Sequence, residues 1–369
     1  MTVHVAFVLA GLDAGGAERV IEIVSRAAIE RGWQVTVVAF DSPASPPFNS
    51  FHPDVRLERL DLPPRSGGAA KWWAVARRLA ALRRLLRARQ FTVLVSFLTK
   101  INVISLISAS GTGIPTIVAE RNNPQRQAMS PAWNFALRLL YARAAQIVLQ
   151  TERSRPCLPP GQRARAVVLP NPMDRPRGPQ PVAPDLPVLV AVGRLTAQKG
   201  FDLLLDAFSA IAEAVPAWKL VIWGEGPDRL ELERQVAQLG LTGRVRLPGL
   251  SEVPGSWVST GSCFVLPSRY EGYPNVLLEA MQARMAVVAF DCEYGPSELI
   301  EHQRNGLLVA NGDVRALSEA LLRVMTDPPL RARLAAQASD QGWHKRATPE
   351  SWIDVIGRHA GLECTNLWH

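Results

Sequence analysis

A proline-rich stretch near the middle of the chain constrains its fold more than any other sequence feature. Pro170 to Pro187 contains seven prolines in eighteen residues. Proline has no backbone N–H and a fixed φ, so this run cannot form a helix or a central strand and is typical of a linker. The 369 residues suffice for two domains. We expect a first domain over 1–173, a linker over 174–187, a second domain over 188–345 and a C-terminal tail over 346–369.

A strand-like run followed by a loop and a helix occurs at the start of both halves. The first half has Val3–Leu9, a helix that stops at Gly32, and Gln34–Phe40. The second has Val188–Val192 and Lys219–Trp223 around a helix that begins at Phe201. Strands that alternate with helices predict parallel sheets covered on both faces. The predicted fold is therefore α/β, with two Rossmann-like domains.

Further elements follow from the same pattern. Strands are predicted at Val93–Phe97, Thr116–Ala119, Gln146–Leu149, Val245–Leu247, Cys263–Leu266, Val287–Phe290 and Leu307–Val309. A helix is predicted over about Pro349 to Ala360. The longest uncharged run, Ile101 to Ala119, is interrupted by Gly111, Gly113 and Pro115, so we expect strand and loop there and no membrane span.

Composition favours a soluble protein in a reducing compartment. Hydrophobic residues make up 47% and charged residues 20% of the chain, which is ordinary for a globular domain. The four cysteines, 157, 263, 292 and 364, share no short spacing, so neither a disulfide framework nor a zinc site is expected. Met1 to His4 leads directly into the first strand, which does not resemble a signal peptide. We expect a cytoplasmic location.

The two halves differ in charge. Residues 1–180 carry 24 basic against 11 acidic side chains, whereas residues 181–369 carry 17 against 22.

The predicted helix Lys71–Arg89 contains tryptophans near its start, six arginines and no acid. Such a helix can lie on an anionic membrane or hold a pyrophosphate, and it can equally pack on its own sheet with its charges in water. The candidate ligand-binding residues here are Lys71, Arg77, Arg78 and Arg84. No aromatic stacking surface favours nucleic acid.

The segment after Cys263–Leu266 carries two carboxylates around a helix start. The chain turns through Gly272 and Pro274, with Glu271 in the loop and Glu279 about one turn inside the helix. Free N–H groups at a helix N-terminus attract phosphate. Carboxylates accept hydrogen bonds from hydroxyls, so this pair suits sugar hydroxyls on either side of a phosphate. The segment predicts a nucleotide-sugar site.

Two cations stand in the loop after Val188–Val192. Arg194 and Lys199 can neutralise the charge that grows on a diphosphate leaving group, or they can belong to a solvent-exposed basic turn. The loop is not a P-loop, because the Gly-x4-Gly-Lys-Ser/Thr spacing is absent. Gly15 and Gly16 in the first strand-to-helix loop would let the backbone approach a bound group. Asp41, after the second strand, could instead hold the ribose of a nicotinamide cofactor, so a nicotinamide-dependent oxidoreductase stays an alternative.

Two elements together resemble the retaining glycosyltransferases of family 4, which have the GT-B fold. They are Glu271 and Glu279 with seven residues between them, and Gly193-Arg194-Leu195 followed by Lys199-Gly200. The resemblance implies two domains facing a cleft, a donor site in the second domain, and a C-terminal segment, 346–369, that returns to the first domain. Catalytic residues would be Glu271, Arg194 and Lys199, with no enzymic nucleophile, no metal and no cofactor beyond the nucleotide sugar. Donor-binding residues would be Gly15, Gly16, Arg194, Lys199, Gly249, Glu271, Gly272, Tyr273, Pro274, Asn275 and Glu279, with Glu279 on the ribose.

The resemblance also concerns the acceptor. Many family members place a histidine near the position where this chain has Arg121. The acceptor-binding candidates are therefore Arg121 and Asn122, together with Lys71, Arg77, Arg78 and Arg84 of the basic helix and the first domain, 1–173, as a whole. The implied reaction is transfer of a hexose or N-acetylhexosamine from a nucleotide sugar, UDP-linked by our prediction, to a lipid-diphosphate-linked oligosaccharide. The enzyme would act with retention, peripherally on the inner face of the cytoplasmic membrane. A catalytically inactive nucleotide-sugar-binding protein is the other alternative. The sequence does not determine which sugar is transferred or whether the donor carries UDP or GDP. It also does not determine the acceptor and its linkage, whether sugars are added singly or processively, or the oligomeric state.

Overall fold

The computed structural model describes nine stretches of the chain, with residues 68–71 and 131–132 described by their backbone alone. The stretches are residues 2–13, 15–44, 46–63, 68–121, 131–172, 186–251, 253, 255–338 and 348–362. The chain forms two compact units. One comprises Met1–Met173 with Lys345–His369, and the other Asp174–His344. Residues 174–185 of the predicted linker lie outside the described stretches.

The first unit contains a seven-stranded parallel sheet in the order β3-β2-β1-β4-β5-β6-β7. Its strands are β1 His4–Leu9, β2 Gln34–Ala39, β3 Arg56–Arg59, β4 Val93–Phe97, β5 Thr116–Ala119, β6 Gln146–Leu149 and β7 Ala166–Val168. Its first helices are α1 Gly16–Glu30, α2 Gly68–Ala88, α3 Thr99–Ala109, α4 Pro131–Leu140 and α5 Pro160–Arg163.

The second unit contains a six-stranded parallel sheet in the order β10-β9-β8-β11-β12-β13. Its strands are β8 Val188–Val192, β9 Lys219–Trp223, β10 Val245–Gly249, β11 Cys263–Leu266, β12 Ala286–Asp291 and β13 Leu307–Ala310. Its helices are α6 Phe201–Ile211, α7 Arg229–Gln238, α8 Asn275–Gln282, α9 Pro296–Leu299, α10 Val314–Thr326 and α11 Pro328–Ala338.

Both sheets reverse their strand order at one position. In the first sheet β1 lies between β2 and β4, and in the second β8 lies between β9 and β11. At such a switch point the loops after the two central strands diverge and leave a crevice at the carboxyl ends. The crevice of the second sheet is therefore bounded by the loops that follow β8 and β11. The prediction of two Rossmann-like domains is confirmed.

The C-terminal helix α12, Pro349–His359, packs on the first unit. The Thr348 hydroxyl accepts a hydrogen bond from the Ser351 N–H, which caps the helix. One face of α12 carries Trp352, Ile353 and Val355 into the core formed by α1 and the first sheet. Burying such large side chains contributes about 1.5–3 kcal/mol each. The last helix is therefore an integral part of the first unit.

Most strands lie where the sequence predicts them, within one or two residues at each end. The expectation for Ile101 to Ala119 is wrong in part, because its first nine residues belong to the helix α3. Ile101, Val103, Ile104 and Leu106 are all buried, so the helix shows little amphipathic periodicity. Among the described residues, no helix is both long and apolar enough to cross a membrane.

Candidate functional site

A lysine and a glutamate from the two switch-point loops meet in the second unit. Lys199, in the loop after β8, places its Nζ 2.7 Å from Oε1 of Glu271, in the loop after β11. The Glu271 residue is 4% exposed. These loops are separated by 72 residues in sequence but follow adjacent strands. The pairing gives the crevice at the carboxyl edge a cation and a carboxylate at its base.

The two oxygens of Glu271 are used differently. Oε1 accepts hydrogen bonds from Lys199 Nζ and from the buried Ser268 hydroxyl, the latter at 2.6 Å. Oε2 accepts none from the side chains or backbone that the structure describes. A carboxylate that is held by one oxygen in this way can accept a substrate hydroxyl with the other.

Glycines let the loops around this pair approach closely. Gly200 has φ +64, and a Cβ there would lie closer than 3.0 Å to the carbonyl oxygen of Pro267 at the end of β11. Gly224, after β9, has φ +141, and its Cβ would meet the Gly193 carbonyl at similarly short range. Both positions need a residue without a side chain. The loops after β8, β9 and β11 are thereby held against one another.

Polar contacts tie the same loops together. The Arg269 guanidinium makes a bidentate pair with Asp202, at 2.8 and 2.6 Å, and donates to the carbonyl of Ala197. The pKa of Asp202 is lowered chiefly by this hydrogen bond from Arg269. The Gln198 side chain donates to the carbonyl of Tyr270 at 3.0 Å. These contacts lock the backbone on both sides of the Lys199–Glu271 pair.

The second predicted carboxylate, Glu279, lies on α8 and is partly exposed. The indole N–H of Trp257 donates to Glu279 Oε2 at 3.2 Å. Trp257 belongs to a short 3₁₀ turn, Ser256–Thr260, which precedes β11. Glu279 therefore keeps a defined position, although its side chain reaches solvent.

The remaining donor candidates lie around the same edge. Arg194 is exposed, and no hydrogen bond of its guanidinium is found within the described part of the chain. Gly249 ends β10 at φ +94, where a Cβ would lie 3.0 Å from Glu225 Oε1. Tyr273 and Pro274 are buried, whereas Gly272 and Asn275 are partly exposed, with Asn275 as the first residue of α8. Pro274 packs against Gly295, so it fixes the loop rather than facing solvent.

One buried thiol borders the pair. Cys292, directly after β12, is a free cysteine. Burial, with a smaller contribution from the negative charge of Glu271, raises the pKa of the Cys292 thiol to about 12. The thiol is therefore neutral at physiological pH and behaves as a small apolar side chain.

In the first unit, Gly15 and Gly16 form the N-terminus of the helix α1. Gly15 is the extended N-cap residue of α1, and Gly16 is its first residue. Asp41, the candidate ribose ligand of an oxidoreductase, accepts the N–H of Leu12 at 2.8 Å and pairs with Arg59 at 2.6 Å. The Asp41 carboxylate is thus engaged in bracing the loop after β1, which gives the oxidoreductase alternative no support.

Arg121, an acceptor-binding candidate, is buried in the first unit. It is 8% exposed, with its guanidinium 4.8 Å from the ring centroids of both Phe97 and Trp352. It donates to the Asn171 side-chain oxygen. Burial lowers the pKa of Arg121 to about 9, a shift that Glu120 opposes. Stacking by α12 therefore makes Arg121 a core residue of the first unit, and Asn122 lies outside the described residues.

Glu120, beside Arg121, forms a buried polar cluster. Its carboxylate accepts hydrogen bonds from Thr99 at 2.7 Å, from Asn102 at 3.3 Å and from the Tyr141 hydroxyl. Burial raises the pKa of Glu120. Thr99, Glu120 and Tyr141 border a cavity of about 620 Å³ whose other walls include Leu137 and Leu158.

The basic helix α2 divides its arginines between two environments. Arg78 is buried, donates to the Leu62 carbonyl at 2.8 Å and stacks on Phe40. Its side chain packs the helix on the sheet and is not available to an acceptor. Arg77 and Arg84 are exposed, as are Trp72 and Trp73. The side chain of Lys71 lies outside the described residues.

Sequence reasoning missed the residues that orient the two glutamates. Ser268 stands three residues before Glu271, a spacing that could have suggested a local hydrogen bond. No sequence signal links Trp257 to Glu279. In the described stretches, no group of three or more histidine, cysteine, aspartate or glutamate side chains could hold a metal ion.

Solved structures with the same architecture are known. HepE of Anabaena, determined with UDP and glucose, matches with a TM-score of 0.78 and 18% identity over 97% of this chain and 99% of that chain. A variant of TarM from Staphylococcus aureus, determined with UDP, α-GlcNAc-glycerol and fondaparinux, matches with a TM-score of 0.79 and 13% identity over 97% and 100%. These likenesses define the class of the fold: two Rossmann-like domains of the GT-B type.

Family models assign each unit. Residues 15–172 match the glycosyl transferase 4-like domain, and residues 174–341 match glycosyl transferases group 1. Between them the two models account for most of the sequence. The chain belongs to the GT4-type glycosyltransferases.

Curated relatives match only part of their own length. The α-D-kanosaminyltransferase of Streptomyces kanamyceticus is 36% identical over 157 residues, which is 42% of this chain and 40% of that protein. The lipopolysaccharide core biosynthesis glycosyltransferase LpsD of Rhizobium meliloti is 33% identical over 174 residues, 46% and 49% respectively. The match therefore spans less than half the length of these relatives.

Proposed function

We propose that this protein transfers a hexose or N-acetylhexosamine from a UDP-linked sugar to a lipid-diphosphate-linked oligosaccharide, with retention, during assembly of a cell-surface polysaccharide. The observation that carries the proposal is the 2.7 Å pair of Lys199 and Glu271 at the switch point of the second sheet. Relatives named for lipopolysaccharide core synthesis, and fold neighbours solved with UDP, support the choice of donor and product class.

The chemistry follows from the hydrogen-bond donors and acceptors that this pair can still offer to a substrate. The Lys199 ammonium has three donors, one of which goes to Glu271, so two remain for oxygens of the donor diphosphate. Arg194, exposed in the same loop, adds a second cation. Both would stabilise the charge that develops on the leaving diphosphate, and the proposed reaction needs no metal or other cofactor. Glu271 Oε2 would accept a hydroxyl of the transferred sugar, and Glu279 the ribose hydroxyls.

Retention requires no enzymic nucleophile in this scheme. The bond from the acceptor oxygen to the sugar carbon forms on the face from which the diphosphate departs. The hydroxyl proton passes to the departing phosphate oxygen, so charge and atoms balance. The role of the protein is to orient the two substrates and to stabilise the leaving group.

In this proposal the first unit binds both the acceptor and the membrane surface. Trp72 and Trp73 at the start of α2 are exposed, and so are Arg77 and Arg84 farther along the helix. Aromatic rings at the interface and arginines on anionic headgroups or a pyrophosphate would hold the protein peripherally on the inner face of the cytoplasmic membrane.

A donor and acceptor screen tests the proposal. Radiolabelled UDP- and GDP-sugars are incubated with membrane-extracted lipid acceptors, and label in the lipid fraction is measured. We expect incorporation from a UDP-sugar that falls at least about tenfold with Glu271→Ala. A catalytically inactive nucleotide-sugar-binding protein would instead bind UDP and turn over no donor.

A further inference from the structure

We infer that Trp257 is a positioning residue for the donor nucleotide, acting through the carboxylate of Glu279. The inference rests on the proposed function, in which Glu279 accepts the ribose hydroxyls. Trp257 is 3% exposed, and its indole N–H donates to Glu279 Oε2 at 3.2 Å. Since the indole is buried behind this contact, it would meet the ligand only through the carboxylate.

The position of Trp257 is fixed from several sides. Its ring lies 5.4 Å from that of Phe264 on β11, in a tilted arrangement. Its backbone carbonyl accepts the hydroxyl of Thr260 at 2.6 Å. Thr260 in turn accepts the indole N–H of Trp223, at the carboxyl end of β9, at 3.2 Å. The contacts link the ends of β9 and β11 to the turn that carries Trp257.

This anchoring matters because Glu279 is partly exposed on α8. A partly exposed glutamate side chain loses conformational entropy when it is ordered to meet two ribose hydroxyls. An indole N–H on one oxygen reduces that loss. Trp257 therefore sets the orientation of the carboxylate before the nucleotide arrives.

The test compares nucleotide binding by Trp257→Phe with that of the parent. Calorimetry with UDP should show an affinity roughly three- to tenfold lower, as expected for one lost hydrogen bond. With 2′,3′-dideoxyuridine diphosphate, which lacks the ribose hydroxyls, parent and variant should bind equally. In a Glu279→Ala background, Trp257→Phe should have no further effect on UDP. Trp218→Phe, a buried tryptophan in the core of the same unit, controls for the loss of indole volume.

The outcomes separate this inference from the proposed function. Equal weakening of UDP and dideoxy-UDP by Trp257→Phe, or no weakening of UDP at all, would overturn the positioning role while leaving a nucleotide site in place. Failure of the parent to bind UDP would overturn the proposed donor and this inference together. In steady-state transfer, the variant should raise KM for the donor with kcat nearly unchanged, because it does not contact the reacting atoms.

Discussion

Lys199 Nζ lies 2.7 Å from Glu271 Oε1, and each residue comes from the loop after one of the two strands at the switch point of the second sheet. The Glu271 side chain is buried, and the Lys199 side chain is mostly buried. The pair therefore joins two loops and supplies the cation and the carboxylate of the proposed donor site. Mutation of either residue tests these two functions.

Replacing Lys199 should impair both turnover and stability. In Lys199→Met, the buried Glu271 carboxylate keeps only the Ser268 hydroxyl, so the free energy of unfolding should fall by about 2 kcal/mol. Transfer should fall by at least about a hundredfold, since the leaving diphosphate loses its nearest cation. Urea denaturation and initial rates measure the two effects. Lys219→Met, at an exposed lysine of the same unit, should change neither. Wild-type rates in Lys199→Met would contradict the assignment.

A methyl group at Gly200 should destabilise the second unit strongly. Gly200→Ala adds a Cβ at φ +64 that collides with the Pro267 carbonyl, so the loops after β8 and β11 must separate. Gly240→Ala is the matched control, because Gly240 has φ +67 and nothing within 4 Å of its Cβ. We expect about 1 kcal/mol from backbone strain at Gly240 and at least about twice that at Gly200. If chemical denaturation showed the same loss of unfolding free energy for both variants, the close approach of Gly200 to Pro267 would contribute nothing to stability.

The buried carboxyl of Glu120 should give the first unit a pH-dependent stability. Because burial raises its folded-state pKa above the ordinary 4.5, its favourable contribution is complete below pH 4.5. That contribution is lost as pH rises through the folded pKa, since the folded state then binds more protons than the unfolded state.

Glu120→Gln removes this titration. The free energy of unfolding of the parent minus that of the variant should therefore decrease as pH is raised from about 4.5 towards neutrality. Denaturation of both proteins across this interval measures the difference. A difference that does not change with pH would show that Glu120 titrates normally in the folded protein.

The exposed face of α2 should bind anionic vesicles. Trp73→Ala and Arg84→Glu should each weaken sedimentation with phosphatidylglycerol vesicles, because one removes an interfacial aromatic ring and the other reverses a charge. Raising the salt concentration should weaken binding of the parent as well. Arg234→Glu, at an exposed arginine of α7 in the second unit, should have no such effect. Vesicle binding that is equal in all four proteins would exclude α2 as the membrane surface.

Much of the architecture could be predicted from the sequence because strand and helix signals alternate clearly in both halves. Two strands escaped the prediction, and both lie at an edge of the first sheet. β3 reads Arg-Leu-Glu-Arg, and β7 has only three residues. Charged or very short runs are what natural edges use to avoid further pairing, so they carry little strand signal.

The donor-site candidates were found because a local motif fixes each loop, and strand order alone then brings Lys199 to Glu271. Arg121 could not be assigned in this way. Its burial depends on Trp352, more than 200 positions later in the chain, which stacks on the guanidinium. A resemblance can imply that the C-terminal segment returns to the first domain, but it does not specify which side chain that segment covers. The burial of Arg78 could not be predicted for the same reason, since its partners Leu62 and Phe40 lie outside its own helix.

The most direct test of the account is the rate of sugar transfer by Glu271→Gln, which keeps the size of the side chain and removes its charge. The measurement is radiolabel incorporated into lipid acceptor from the UDP-sugar that the parent uses. Glu319→Gln, at an exposed glutamate on α10, serves as the control. Loss of a charge-assisted hydrogen bond of about 1.5–3 kcal/mol predicts a ten- to hundredfold slower rate for Glu271→Gln and an unchanged rate for Glu319→Gln. A Glu271→Gln enzyme as fast as the parent would contradict the assignment of this carboxylate to the donor site.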